Sequence, residues 1–297
     1  MPLRYEGTVY RPPSEADSLI LQVTIGCSYN DCAFCGMYRE KKFRVRRIDE
    51  IRAEIEQVRA AVGRRTDAVR KVFLADGDAL VAPPKLLHEV LDALRAAFPS
   101  LRRVSCYASP QALHVRTVEQ MAALREAGLG QYYLGVESGH DEVLRRMTKG
   151  VDAAEMVRVA AKAGEAGVKL STMVLLGAGG AALSLEHARA SAAVINAIQP
   201  RFVSTLVVTP VEGTPLFDEA MRGTFEDMDP AAITRELREF VAGLELRSSV
   251  FRANHASNWL PIGGTLPKDK AAILATLDDV LRSPDDAPFV PDAWRGL

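Results

Sequence analysis

Apolar, β-branched runs recur along this chain with helical stretches between them. SLILQVTI (residues 18–25), KVFLADGD (71–78), RRVSCYAS (102–109), QYYLGVES (131–138), VKLSTMVLLG (168–177) and RFVSTLVVTP (201–210) each read as a strand. Between them, RIDEIRAEIEQVRAAV (47–62), KLLHEVLDALRAAF (85–98), VEQMAALREAG (118–128), DAAEMVRVAAKAG (152–164) and LEHARASAAVINAI (185–198) carry apolar residues at helical spacing. Gly63 ends the first of these helices, and Pro83 and Pro84 open the second. Strict alternation of this kind implies parallel pairing through right-handed crossovers. The early strands are almost continuously apolar, as expected when helices cover one face and a packed interior covers the other.

A closed barrel of eight such units needs about 250 residues. Here the repeat stops after six, near residue 217. The expected fold is α/β: a partial (β/α)6 parallel barrel over residues 1–217, lead-in included, followed by a mainly helical C-terminal cap over 218–297 with helices near 230–245 and 267–282. A flat, doubly wound sheet is the alternative.

Composition sharpens this picture in two places. Of 297 residues, 48% are hydrophobic and 25% charged, which suits a soluble globular chain with a sizeable core. A net charge of −1 gives no global pull toward nucleic acid or membrane. The opening MPLRYEGTVYRPPSEADS lacks the basic-then-apolar layout of a signal peptide, and no run reaches about 18 apolar residues. A cytoplasmic location with no membrane or nucleic-acid partner is therefore expected. Of four cysteines, three are clustered, which argues against a disulfide scaffold and for thiolates reserved for a metal.

Those three lie in GCSYNDCAFCGMY (26–38) as Cys27, Cys32 and Cys35, with Cys106 far downstream. In parallel α/β folds ligands gather where strands end at their C-terminal edges, and this loop directly follows the first strand. Inert buried thiols usually scatter instead of clustering. Zinc would need a nearby fourth ligand, and none of the five histidines is close. C-x4-C-x2-C with a distant cysteine is also the plant-type ferredoxin spacing, so a [2Fe–2S] electron carrier with Cys106 as fourth ligand is the competing assignment. A third is a regulator that holds a cofactor without chemistry. Cys106 sits in mid-strand, which favours three thiolates on a [4Fe–4S] cluster with one iron open.

With that loop, the sequence resembles the radical S-adenosylmethionine (radical SAM) superfamily, whose three cysteines follow the first strand of a partial (β/α)6 barrel. Phe34 fills the aromatic place before the third cysteine, while the loop carries one residue more than the usual C-x3-C-x2-C. The string GVESGHDEVLRRMTKG is similar to the branch of methylthiotransferases, oxygen-independent coproporphyrinogen oxidase and the elongator catalytic subunit. The resemblance implies that Cys27, Cys32 and Cys35 hold one [4Fe–4S] cluster whose open iron binds S-adenosylmethionine. Reductive cleavage would then yield a 5′-deoxyadenosyl radical that abstracts hydrogen from a substrate. It further implies cofactor contacts from Asp76, Gly77 and Asp78, in place of the family's GGE, and from Glu137 and Ser138 toward the ribose. Leu175 and Gly177 would serve the adenine, although Gly180 stands where the family's GxIxGxxE motif has its glutamate. The alternative for Glu137 is a salt bridge to Arg145 or Arg146. TPVEGTPLFDE, similar to the branch's P-x-x-GTPL, reads as a structural turn at Thr209 to Leu216.

Substrate signals are fewer. KKFRVRR (41–47) packs five basic residues into seven, either as a solvated segment or as a dock for reduced flavodoxin or ferredoxin, or for an anionic substrate. FRANHASNWLPIGG (251–264) gathers His255, Asn258 and Trp259 on a Gly/Pro-bounded loop, and Tyr38 lies near the cluster loop. His255, Asn258 and Tyr38 are the candidate contacts to a small or medium-sized substrate, the bland alternative being a tethering loop. No second cysteine cluster accompanies the first, which weakens sulfur insertion as the chemistry.

Overall fold

A computed structural model describes residues 3–295. The strands are β1 (Leu19–Gln22), β2 (Thr24–Ile25), β3 (Arg44–Val45), β4 (Lys71–Ala75), β5 (Arg103–Ala108), β6 (Leu129–Glu137), β7 (Lys169–Leu176), β8 (Phe202–Val207), β9 (Ser249–Ala253) and β10 (Ile262–Leu266). The helices are α1 (Ile48–Val62), α2 (Pro84–Ala97), α3 (Pro110–Val115), α4 (Val118–Glu126), α5 (Asp141–Arg146), α6 (Ala153–Glu165), α7 (Gly180–Ile198), α8 (Pro215–Met221), α9 (Pro230–Gly243) and α10 (Lys270–Arg282).

Eight strands form one sheet in the order β1-β4-β5-β6-β7-β8-β9-β10, and β2 pairs with β3 separately. β1–β4, β4–β5, β5–β6, β7–β8 and β8–β9 are parallel, while β10 runs antiparallel to β9. Every step moves to the next strand in one direction. A doubly wound sheet reverses at a switch point, so that alternative is excluded. The sheet is not closed, and its edges are β1 and β10.

The six expected strands and five expected helices all form, with ends shifted by a few residues. α7 starts five residues earlier than its apolar pattern, at Gly180. The C-terminal segment carries α9 and α10 as expected but also adds β9 and β10 to the sheet. Residues 251–264 read as one loop because Gly263 and Gly264 mask the second strand. β10 is an edge strand, where glycine is tolerated, and the loop shrinks to 254–261. The short helices α3 and α8 were too brief for a periodic signal. Each is opened locally, by Ser109 accepting from Ala112 N–H and by Thr214 accepting from Phe217 N–H, with proline at the first position.

The chain divides into two compact units. The first takes the chain as far as Asn30, then Met37–Leu134 and Lys162–Leu170; the second takes Asp31–Gly36, Gly135–Ala161 and the chain from Ser171 onward. In the first, Leu87, Val90, Leu91 and Leu94 of α2 and Val72, Phe73 and Leu74 of β4 are fully buried. In the second, Val143, Met147, Leu175, Ala178, Val208, Leu216 and Phe225 form one buried cluster, with Phe34 packed against it. Among the described residues no helix is long and apolar enough to cross a membrane.

Candidate functional site

In the first unit, β4 runs into Asp76-Gly77-Asp78 beside the start of the cysteine loop. Asp76 is fully buried, and its Oδ2 accepts from Gly26 N–H (3.0 Å), Gln22 Nε2 (3.1 Å) and Lys41 Nζ (2.8 Å). Its Oδ1 is buried and has no partner among the described residues. Asp78 is equally buried, but both of its oxygens are committed. Oδ2 accepts from the hydroxyls of Ser28 and Ser109 (2.6 Å each), and Oδ1 from Ser109 N–H (3.1 Å). Burial raises the Asp78 pKa, against the hydrogen bonds from Ser109 and Ser28. The spare acceptor at this strand end is thus on Asp76, while Asp78 braces Ser28 of the loop.

Gly77 N–H donates to Gly26 O at 3.1 Å, and a Cβ at Gly77 would lie 2.7 Å from Tyr38 Cε2 and 2.8 Å from Cys27 Cβ. Only glycine lets the strand end lie this close to the loop. Gly77→Ala is expected to lower stability by about 1–3 kcal/mol through overpacking. Urea unfolding checks the stability, and iron bound per chain after reconstitution checks that the loop is displaced.

Tyr38 is only 3% exposed, edge-on to Tyr10 at 5.6 Å, so it lines the wall behind Gly77. The basic run is largely neutralised from within. Lys41 pairs with Asp76, Arg44 with Glu6 and Glu50, Arg46 with Glu54, and Arg47 with Asp49. A concentrated cationic surface does not result, and Lys41 and Arg46 are braces. Cys106 is fully buried, in register with Leu74 and Tyr132. Burial pushes its thiol well above the ordinary range, and the Asp78 carboxylate adds to the shift.

In the second unit the latter half of the cysteine loop is pinned by backbone. Ala33 N–H donates to Met147 O (2.9 Å), Leu216 N–H to Ala33 O (3.0 Å), and Cys35 N–H to Cys32 O (3.2 Å). None of the four cysteines is in a disulfide; Cys27, Cys32 and Cys35 are partly exposed, whereas Cys106 is buried. Among the described residues no group of three or more His, Cys, Asp or Glu gathers as for a single metal ion. A cubane cluster holds its ligand sulfurs further apart than one ion does.

Glu137 ends β6 with φ of +62°, a conformation rare for a residue with a side chain. Its carboxylate folds back over Gly135, where any Cβ would collide with Oε1. Oε1 accepts from Lys149 Nζ at 2.9 Å, with both side chains 9% exposed. Glu137 is therefore paired with Lys149, not with Arg145 or Arg146, and Arg146 instead binds Glu219 at 2.8 Å. Burial disfavours the Lys149 ammonium, but the charges of Glu137, Cys32 and Cys35 outweigh it and raise the pKa. Lys149 was missed in the sequence, although it stands in the string that carries Glu137.

Behind Glu137 lies a buried hydrogen-bond chain. His140 N–H donates to Ser138 Oγ (2.9 Å), and Ser138 Oγ meets His187 Nδ1 (2.7 Å). His187 Nε2 meets Leu175 O at 3.0 Å; the carbonyl can only accept, so Nε2 carries the proton and Nδ1 accepts from Ser138. Glu236 of α9 accepts from Gly177 N–H (2.7 Å) and Ser184 Oγ (2.5 Å), 3.5 Å from His187 Nε2. Burial lowers His187 to about 4 and raises Glu236 to about 7, so at neutral pH this contact is not an ion pair. Glu236 was missed in the sequence; its one signal there is an acid on the stripe Ile233, Leu237, Phe240 and Val241 of α9, all buried.

The C-terminal candidates divide. Asn258 is buried and its Nδ2 donates to Thr205 O at 2.9 Å, a tether of the loop to β8. His255 Nδ1 accepts from Ser257 N–H (3.1 Å), and burial lowers its pKa. Trp259 instead lines a cavity of about 480 Å3 at the ends of β7 and β8, with Gly177, Val208, Thr209, Phe225 and Arg295.

A family model described as the radical SAM superfamily matches residues 21–180. The structure is similar to coproporphyrinogen III oxidase (HemN) from Escherichia coli, described as a radical SAM enzyme, at 17% identity and TM-score 0.55 over 76% of this chain and 51% of that one. It is similar to methylornithine synthase (PylB) at 16% identity and TM-score 0.54, over 92% and 74%. The archaeal Methanocaldococcus infernus Elp3 matches at 16% identity and TM-score 0.53, over 88% and 63%. The chain spans 30% of the cobalamin-dependent S-adenosylmethionine radical enzyme OxsB, at TM-score 0.50 and 15% identity. At these identities the likeness is one of fold. No curated protein matches the sequence.

Proposed function

The chain belongs to the radical SAM superfamily, whose members are enzymes using a [4Fe–4S] cluster and S-adenosylmethionine, and we propose that Cys27, Cys32 and Cys35 hold that cluster here and that the protein abstracts hydrogen from a small or medium-sized substrate. When bound and reduced, this pair of cofactors supplies a 5′-deoxyadenosyl radical. The observation that carries the reading is the contrast among thiols: the three loop cysteines are partly exposed, while Cys106 is fully buried in mid-strand with its thiol pKa raised. Burial in mid-strand makes ionisation of the Cys106 thiol costly, which counts against its use as a fourth ligand.

The residues present fit both groups. Asp76 Oδ1 is a buried acceptor lacking a donor, as suits an ammonium, and Gly77 keeps the strand end clear beside Cys27. Glu137 in its buried pair has one oxygen turned to Lys149, leaving the other to accept from ribose hydroxyls. Phe34 and Leu175 share one apolar cluster that suits an adenine face. Asp78 and Ser138 serve by bracing Ser28 and His187. The catalytic portion is assigned to residues 1–217, with 218–297 excluding water from the radical. The reductant is a flavodoxin or ferredoxin, and a cytoplasmic setting supplies one. His255, Asn258 and Tyr38 hold neighbouring structure in place, so substrate contact falls to side chains such as Trp259.

The test is anaerobic reconstitution with iron and sulfide, then S-adenosylmethionine and dithionite, with 5′-deoxyadenosine quantified with and without candidate substrates. Cys106→Ala is expected to keep its full iron and its 5′-deoxyadenosine yield. A [2Fe–2S] spectrum that disappears in Cys106→Ala would show an electron carrier instead.

A further inference from the structure

The β7–α7 turn is built from a glycine-rich strip, Gly177-Ala178-Gly179-Gly180, with no acid of its own. Its first N–H is buried and must find an acceptor, since an unpaired buried donor is costly. That acceptor comes from outside the repeating strand–helix units. Glu236 lies 59 residues downstream in α9 and receives Gly177 N–H at 2.7 Å and Ser184 Oγ at 2.5 Å. Ile233, one turn earlier on α9, places its Cδ1 3.0 Å from where a Cβ of Gly177 would stand. The Glu236 carboxyl also meets the N-terminal turns of α7 at Ser184, where negative charge is favoured.

His187, packed 3.5 Å from Glu236, holds a second strand end. Nε2–H fixes Leu175 O on β7, and Nδ1 fixes Ser138, the neighbour of Glu137 on β6. The backbone of Leu175 and Gly177 and the residue beside Glu137 are thus set by one buried assembly whose only carboxylate is on α9. Resting on the cofactor assignment above, we infer that Glu236 is a positioning residue for the adenosine part of S-adenosylmethionine, supplying from α9 the acid that position 180 lacks. Glu236 touches no cofactor atom in this role. It acts by hydrogen bonds to Gly177 and Ser184 and by packing 3.5 Å from His187, the side chain that holds Leu175 and Ser138.

Glu236→Leu separates this role from general support. Reconstituted protein is expected to keep its iron and the electron paramagnetic resonance signal of the reduced cluster. The dissociation constant for S-adenosylmethionine, read by calorimetry, should rise at least about tenfold, as for two lost buried hydrogen bonds. Affinity for methionine, which lacks the adenosine, should be unchanged. Glu236→Gln keeps an acceptor for Gly177 N–H and should stay within about threefold of wild type. A folded, cluster-loaded Glu236→Leu that binds S-adenosylmethionine normally, or loses methionine equally, overturns the inference. Should that variant fail to fold, Ser184→Ala removes one donor to Glu236 and decides: a rise of about threefold is expected, and no rise overturns. If wild-type protein with a full cluster binds no S-adenosylmethionine, the cofactor assignment itself fails, which is a separate result.

Discussion

Reconstituted Cys32→Ala protein is expected to hold no [4Fe–4S] cluster and to form no 5′-deoxyadenosine, with Cys27→Ala and Cys35→Ala behaving alike. A cluster with one open iron has three protein ligands, so loss of any thiolate leaves two and the cube is released or degraded. Redundancy is not available, because Cys106 is buried in β5 with a thiol that resists ionisation. The backbone around Cys32 and Cys35 is set by bonds from Ala33 to Met147 and Leu216, which the alanine side chain does not disturb. The apoprotein should therefore stay folded. Iron and labile sulfide per chain, the visible spectrum and the product yield read the outcome together. A Cys32→Ala protein that retained a full [4Fe–4S] cluster would place the ligands elsewhere.

Lys149→Met is expected to lower the unfolding free energy of the apoprotein by about 3–5 kcal/mol, because it leaves the Glu137 carboxylate buried without its cation. A surface ion pair would give about 1 kcal/mol or less. This pair differs in that both side chains are 9% exposed and the carboxylate is confined above Gly135. Glu137→Gln together with Lys149→Met should recover part of the loss, since neither charge is then stranded. Urea denaturation of the four forms measures this. A loss under about 1 kcal/mol for Lys149→Met would mean that water reaches the pair. Separately, Glu137→Gln alone should weaken S-adenosylmethionine binding by roughly 10–100-fold, the range for a hydrogen bond to a charged group.

Most of the strand and helix pattern was legible because it is local. Periods of two and 3.6 residues record which face of each element is buried, and capping residues record where helices begin. β10 escaped because an edge strand can carry Gly263 and Gly264 without a packed face. The cysteine loop was legible because its three thiols lie within nine residues of one another. The spacing of the string around Glu137 likewise has a local cause, since Gly135 leaves the space that the Glu137 and Lys149 side chains occupy.

What the sequence by itself determined, then, is the order of elements, the winding direction of the repeat and the grouping of three thiols in one loop. Each is fixed by interactions within a few residues or by a chemistry that few side chains possess. Tertiary structure alone decided the partners. It paired Glu137 with Lys149, committed both oxygens of Asp78 and left Asp76 Oδ1 free of donors. It folded the basic run onto carboxylates, and it brought Glu236 to Gly177 across 59 residues. Hydrogen bonds and ion pairs act over about 3 Å, whatever the separation along the chain. Spacing in sequence carries no record of them until the sheet has set its strand ends side by side.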